Sequence, residues 1–526
     1  MTVRDLLLAR AEDDRPALRW REAGSVRTLT WREYVGAAAR LAADVEHDLD
    51  PGRPPHVGAL LPNGPAFALH LAAAGLGGHV LVGLNSTRRG EALAADVAKA
   101  DCQLVVDSPD RALAALASTD RGSSPRGSSP RGSSLSRPLI STSSTTGDEV
   151  STCSITGDDL FMLIFTSGTS GSPKAVRVTH EKITGPGTHL VGRLGLTADD
   201  VHYIAMPLFH SNAVMAGWAP ALTTGAAFAV APFSARGFLA DVRDFGATYA
   251  NYVGKPLTYV LATDERPDDA ENPLRIVFGN EANEGDIAEF ARRFGCEVVD
   301  SYSSTENAVI VQRRPGMPAG SLGMPLDGIK VLDESGTETP DAVFDSSGRL
   351  LNADAATGEL VNTTGRGAFA GYYDDADAEA DRMRGGMYWS GDLAYRDADG
   401  WVYFAGRTGD WLRVDGENLA AAPVERVLLR HPAVAEAAVY AVPDPKVGDQ
   451  VAAALTLRGP LDPAGLETFL AAQEDLSDKA WPRYVRIVDE LPRTATNKVL
   501  KRALAAEGVP TPGSAWVRAD RGTSYS

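Results

Sequence analysis

At 526 residues the chain is too long for one compact core and calls for at least two domains. Its 44% hydrophobic and 23% charged residues are those of an ordinary globular protein, neither disordered nor fibrous. With 51 Lys and Arg against 69 Asp and Glu, the net charge of -18 supplies no basic face for a phosphate backbone, so nucleic acid is excluded as the main ligand.

Met1 to Pro16 carries acids after a short Leu run and has no small-residue cleavage site, so no secretory signal is expected. Residues 30–117 alternate helical spacing with short apolar runs. Tyr34 to Val45 and Ala66 to Ala74 read as helices; His56 to Leu61, His79 to Leu84 and Leu104 to Val106 read as strands, the last two parallel. This alternation predicts a layered α/β architecture. The pattern then breaks. Arg121–Pro125 repeats as Arg126–Pro130, Arg131–Leu135 is a near-copy, and Ser and Thr continue to Ser154. Such a segment cannot bury enough apolar surface to offset its ordering entropy, which predicts a mobile Ser/Thr-rich insertion over 118–157.

The α/β pattern resumes at Leu160 to Phe165 and runs to about Gly406. Ala213 to Phe233 is the most apolar stretch, but Gly217, Pro220, Gly225 and Pro232 interrupt it, which predicts buried strands and turns and no integral membrane span. From Trp411 the texture becomes that of a small α+β unit. Ala422 to Arg430 and Asp462 to Glu474 read as helices, and Ala433 to Val442 and Gln450 to Leu457 as strands. The expected division is 1–408 and 409–526. Cys102, Cys153 and Cys296 are odd in number and form no CxxC, so neither a disulfide framework nor a zinc site is expected and the cytoplasm is the expected compartment.

Four segments carry chemistry. The first is Phe165-Thr-Ser-Gly-Thr-Ser-Gly-Ser-Pro-Lys174. Its glycines free backbone N–H groups to turn toward an anion, its hydroxyls add donors, and its lysine adds charge, which suits a polyphosphate; a plain Ser/Gly turn has the same composition. The spacing is not that of Walker A. In Asp300-Ser-Tyr-Ser-Ser-Thr-Glu306, an aromatic, a hydroxyl and a carboxylate within five residues could stack a base, touch a phosphate and hold magnesium, although the segment is a weak signal by itself. The third segment is Ser390-Gly-Asp392 with the run to Arg407, a carboxylate and an arginine suited to a ribose; a surface Asp in a hairpin is the plainer reading. The last, Pro492-Arg-Thr-Ala-Thr-Asn-Lys498, presents one lysine in a polar loop, where a merely solvated lysine is the commoner meaning.

In this order the segments resemble the adenylate-forming superfamily of acyl-CoA synthetases, peptide-synthetase adenylation domains and luciferases. The resemblance spans about residues 30–505 and skips the insertion. Gly409-Asp-Trp-Leu-Arg-Val-Asp-Gly-Glu-Asn418 with Pro423-Val-Glu425 is most similar to the fatty-acid-transport and very-long-chain acyl-CoA synthetase branch. The resemblance implies a large N-terminal domain of layered α/β subdomains with a β-barrel element, and a small mobile α+β C-terminal domain. It places Thr166, Ser167, Gly168, Thr169, Ser170, Gly171 and Lys174 in a mobile phosphate loop. Gly279, Glu281 and Ala282 would line the adenine pocket, with Tyr302 stacked on the base. Thr305 would meet the α-phosphate and Glu306 would ligate Mg2+, while Asp392 and Arg407 hold the ribose. His210 would gate the acyl carboxylate, and Lys498 would bridge carboxylate and phosphate during adenylation. Gly409 would be the hinge, and Gly416 would line the pantetheine channel.

Three positions depart from the family pattern: Ser303 and Asn497 replace glycines, and Asp415 stands where relatives carry Gly or Lys, close to the expected thiol path. The implied activity is ATP-dependent formation of an acyl-adenylate and then an acyl-CoA, from a fatty or other apolar carboxylic acid, ATP and CoA. A second reading keeps adenylation but loads a carrier protein, activates an aryl acid, or activates an oxoanion such as nitrite for diazotization. A third, a non-catalytic AMP-binding protein, predicts loss of Lys498, Glu306 or Asp392, and all three are present. A homodimer is compatible with the resemblance.

Overall fold

A computed structural model describes residues 1–117, 154–166, 173–346, 348, 350–407, 411–414, 417–444, 448–473, 475–493, 499–511, 513–519 and 522–526. They form two compact units, Met1–Asp300 with Ala370–Asp375, and Ser301–Phe369 with Ala376–Ser526. The expected junction at 408/409 lies outside the described residues, as does the expected insertion up to Cys153.

The first unit is built on strands β1 (Pro16–Glu22), β2 (Ser25–Thr30), β3 (His56–Ala59), β4 (Val80–Gly83), β5 (Leu104–Val106), β6 (Leu160–Thr166), β7 (Lys174–Thr179), β8 (Val201–Ile204), β9 (Ala227–Val230), β10 (Tyr249–Val253), β11 (Ile276–Asn280) and β12 (Glu297–Asp300). One sheet has the order β5-β3-β4-β6-β7 and the other β12-β11-β10-β8-β9-β1-β2. Parallel pairing dominates both, as the alternation of helix and strand predicts, because parallel neighbours need a crossover and the crossovers here are helices.

The helix Trp31–Asp48 starts where Thr30 and Glu33 cap each other's backbone, and it buries Trp31, Tyr34, Val35, Leu41 and Val45 on one face. Pro65–Gly77 is apolar all round and buried from Ala66 to Leu76, so it runs through the core. Proline in its first turn and left-handed Gly78 at its end set its limits.

Ala213–Phe233 differs from the expectation of strands and turns. It holds a π-helical turn, Ala213–Trp218, then an α-helix, Ala219–Thr224, and only then β9. Pro220 does not break the helix because it sits in the first turn, where its missing N–H has no intrahelical acceptor to lose. Gly217 is required by packing, since a Cβ there would lie 2.9 Å from Asn251 Oδ1. Among the described residues no helix is long and apolar enough to cross a membrane.

The second unit carries β13 (Val311–Gln312), β14 (Met324–Pro325), β15 (Ile329–Leu332), β16 (Gly358–Asn362), β17 (Met383–Arg384), β18 (Met387–Arg396), β19 (Val402–Arg407), β20 (Trp411–Val414), β21 (Glu417–Ala420), β22 (Val434–Asp444), β23 (Gly448–Leu457), β24 (Tyr484–Ile487) and β25 (Trp516–Val517). There β18 is the hub of a five-stranded antiparallel sheet and pairs with β16, β17 and β19. The C-terminal part is the expected α+β unit. Its sheet runs β21-β20-β23-β24-β25 with β22 on β23, and helices Ala421–Leu429 and Pro463–Ala471 bury Val424, Leu428, Leu466 and Leu470 in the same core as Val439, Leu455 and Trp481.

Candidate active site

In the first unit the Ser/Gly-rich segment joins β6 to β7, an antiparallel pair at the edge of an otherwise parallel sheet. The pair is rooted by Phe161, Met162, Leu163 and Ile164, all buried, and ends at Thr166 opposite Lys174. Ser167, Gly168, Thr169, Ser170 and Gly171 lie outside the described residues. Lys174 is not held out on a loop. Its side chain is buried, with Nζ 5.2 Å from the ring centroid of Tyr372, a cation–π contact.

A second group gathers at the C-terminal ends of the parallel strands β10, β11 and β12, the edge where open α/β sheets bind ligands. Gly279 faces Tyr252 across the ladder so closely that a Cβ would lie 2.3 Å from the Tyr252 carbonyl oxygen. Glu281 follows at φ +67, a left-handed conformation that costs a non-glycine residue about 1–2 kcal/mol and marks sites where the surroundings enforce it. Asp300, buried at the end of β12, provides that enforcement. Its Oδ2 accepts the Ala282 N–H at 3.1 Å and the Tyr252 hydroxyl at 2.6 Å.

His210 closes a turn through its N–H to the Pro207 carbonyl, at 2.8 Å. Its Nδ1 accepts the Asn212 N–H at 3.3 Å. The Asn212 side chain donates to Asn280 Oδ1 at 3.4 Å and accepts from Asn251 Nδ2 at 2.6 Å. The first unit thus brings His210 and the Gly279–Ala282 segment together through three buried or half-buried asparagines, next to the π-helical turn. Asn212, Asn251, Asn280 and Tyr252 were not singled out from the sequence. Asn251 did leave a signal, as an amide inside the otherwise apolar strand Tyr249–Val253. Behind Asn251 a cavity among Phe233, Tyr252, Leu257 and Phe290 measures about 20 Å³, room for a single water, so these apolar residues are core packing.

The second unit assembles Tyr302, Asp392 and Arg407. Asp392 on β18 is paired with Arg407 on β19, and its Oδ1 lies 3.3 Å from Arg407 Nε. Its Oδ2 accepts the Tyr302 hydroxyl at 2.5 Å, and its N–H donates to Ser390 Oγ at 3.0 Å. Asp392 is buried, so the surface-hairpin reading is set aside. Gly391 between Ser390 and Asp392 has φ +75, which explains the glycine in that motif. Burial first, then the charge of Asp392, raises the Tyr302 phenol well above its ordinary range, so it remains a donor.

Thr305 and Glu306 are both buried, in a turn closed by the Asn307 N–H on the Ser304 carbonyl. Among the described residues no group of three or more His, Cys, Asp or Glu could hold a metal by itself. Magnesium held by one carboxylate and nucleotide phosphates needs no such cage, and Glu306 fits that limited part. Gly409, Asp415, Gly416 and Lys498 lie outside the described residues. On either side of the segment containing Lys498, Arg493 and Val499 form a β-bridge, and Arg493 is anchored by a buried ion pair to Glu436.

The family described as AMP-binding enzyme matches residues 8–373, and the AMP-binding enzyme C-terminal domain matches 423–498. A medium/long-chain-fatty-acid–CoA ligase, FadD17 of Mycobacterium marinum, is 52% identical over 93% of each chain. A steroid-22-oyl-CoA synthetase of Rhodococcus jostii is 45% identical over 96% of this chain and 90% of its own. Among solved structures, an anthranilate CoA ligase in complex with anthranoyl-AMP superposes with a TM-score of 0.76 at 20% identity, covering 97% of each chain, which bears on fold alone. With one family matched over most of its length and that family's C-terminal domain following in order, this chain belongs to the AMP-binding enzymes, the adenylate-forming superfamily that its motifs resemble.

Proposed function

We propose that this chain activates an apolar carboxylic acid in two steps and delivers it to CoA. In the first, a carboxylate oxygen attacks the α-phosphorus of ATP and the bond to pyrophosphate breaks, giving an acyl-adenylate. In the second, the CoA thiol attacks the acyl carbonyl, the bond to AMP breaks, and a thioester forms. The observation that carries this reading is Asp392, a buried carboxylate held between a phenol and an arginine, in a chain whose 52% and 45% identical relatives are named as acyl-CoA ligases. The relatives' names point to a fatty acid or a steroid side-chain acid as the substrate class.

In this reading the division into 1–408 and 409–526 is retained, supported by the family matches at 8–373 and 423–498. Asp392 and Arg407 take the ribose, Tyr302 the face of the base, and Gly279, Glu281 and Ala282 its edge. The 166–174 segment and Thr305 meet the phosphates. His210, held by Asn212, stands by the acyl carboxylate. Lys498 serves adenylation, and Gly416 the thiol path. Magnesium, when bound through Glu306 and the phosphates, neutralises charge developing on the nucleotide. The unlinked, buried or half-buried thiols of Cys102 and Cys296 suit a reducing cytoplasm, burial pushing each up to about 12.

The test is pyrophosphate release with a panel of octanoate, palmitate, a steroid side-chain acid, an aryl acid and nitrite, with and without CoA. Release with the apolar acids, and thioester only when CoA is added, is expected. Release confined to the aryl acid or to nitrite, or acyl transfer to a carrier protein in preference to CoA, would overturn the reading.

A further inference from the structure

Asp392 is oriented from two sides. Its backbone is tied on one flank by pairing with Arg407 on β19, and its N–H is taken by Ser390 Oγ, while the ladder to β16 is interrupted between Trp389 and Leu393. Its side chain does have freedom, because the terminal torsion of an aspartate is broad and roughly two-fold. Arg407 constrains it weakly, at 3.3 Å through one nitrogen from a side chain that is 42% exposed. The Tyr302 hydroxyl is the short contact, 2.5 Å from Oδ2, and comes from a residue held by a β-bridge to Val311.

An ionised carboxylate offers about four lone-pair positions. The phenol takes one on Oδ2 and the guanidinium one on Oδ1, which leaves one acceptor position on each oxygen. Two acceptors about one carboxylate width apart match the two adjacent hydroxyls of a ribose. We propose that the Tyr302 hydroxyl is a positioning group for sugar recognition: by holding Oδ2 it sets the plane of the Asp392 carboxylate so that both remaining acceptors face a cis-diol. This rests on the nucleotide reading above and assigns the hydroxyl a part distinct from that of the ring. Without the hydroxyl the carboxylate turns toward Arg407 and offers one acceptor instead of two.

The experiment measures binding of AMP and 3′-deoxy-AMP to the full chain by calorimetry, in wild type, Tyr302→Phe, Asp392→Asn and the double variant. Phenylalanine keeps the ring and removes only the hydroxyl. Wild type is expected to prefer AMP by at least about tenfold, the range of one hydrogen bond to a charged group, and Tyr302→Phe to lose most of that preference. Asp392→Asn loses the same preference, and the double variant loses no more than either single one. A preference in Tyr302→Phe within about twofold of wild type, or equal weakening of both ligands, overturns the proposal and leaves nucleotide binding intact. A wild-type chain that binds neither ligand overturns both the proposal and the nucleotide reading on which it rests.

Discussion

Asp300 ties three neighbouring strands together at the edge that would receive the base. One carboxylate oxygen accepts from the Tyr252 hydroxyl on β10 and from the Ala282 N–H just past β11. Asp300→Ala takes this acceptor from both donors, the buried Tyr252 hydroxyl and the half-buried Ala282 N–H. A buried donor that loses its acceptor costs about 1–3 kcal/mol and a half-buried one lies toward the low end, so the variant loses roughly 2–5 kcal/mol. Asp300→Asn keeps a neutral acceptor in the same place and loses about 1–2 kcal/mol of charge assistance. At about 2–4 °C per kcal/mol, the alanine variant should lower the first unit's melting by roughly 4–20 °C, and the asparagine variant by a few degrees. The local effect is sharper. Glu281 is held at φ +67, and once the Ala282 N–H is released the segment relaxes toward an unstrained turn. Hydrogen exchange at 279–282 should therefore rise in Asp300→Ala, and AMP affinity should fall about tenfold or more. Scanning calorimetry with exchange mass spectrometry reads both. An alanine variant that melts within about 2 °C of wild type and keeps its exchange protection at 279–282 would refute the bracing role.

Burial holds four histidines of the first unit neutral: His70, His180 and His202 at about 4 and His79 at about 3. The unfolded chain protonates them near pH 6.5, so their contribution to stability is complete above that value and drains away as pH falls from 6.5 toward 4. Between pH 7.5 and 5.5 each accounts for about 1.3 kcal/mol, and a melting temperature that stays level across this range would contradict the assignment. Lys498→Ala should abolish most adenylate formation while sparing thioester formation from a supplied acyl-adenylate; equal loss of both half-reactions would remove Lys498 from its proposed role. Deleting residues 121–135, whose repeat has no apolar side chain except Leu135, should leave melting and turnover nearly unchanged, and a fall of many degrees would show that the segment is structural.

Much of the architecture is legible in the chain itself, because its causes are local. Helix Trp31–Asp48 carries its own cap and its own apolar face, and the strands of the first sheet are short apolar runs between helical patterns. The segments bearing Tyr302, Glu306, Asp392 and Arg407 are recognisable for a similar reason: each packs its characteristic residues into a short stretch. Ala213–Phe233 shows where local reading stops. Glycine and proline there look like breaks, yet the structure uses one in a close approach to Asn251 and the other in a helix's first turn. The asparagines around His210 and the bracing by Asp300 were hidden because their partners lie from 18 to 68 residues away along the chain, and the Tyr302–Asp392 bond because it spans 90. Hydrogen bonds of that separation depend on which strands become neighbours. Local pattern decided which elements form; only the tertiary structure decided that a phenol from one segment would share a set of lone pairs with a carboxylate and a guanidinium from a hairpin 90 residues further on.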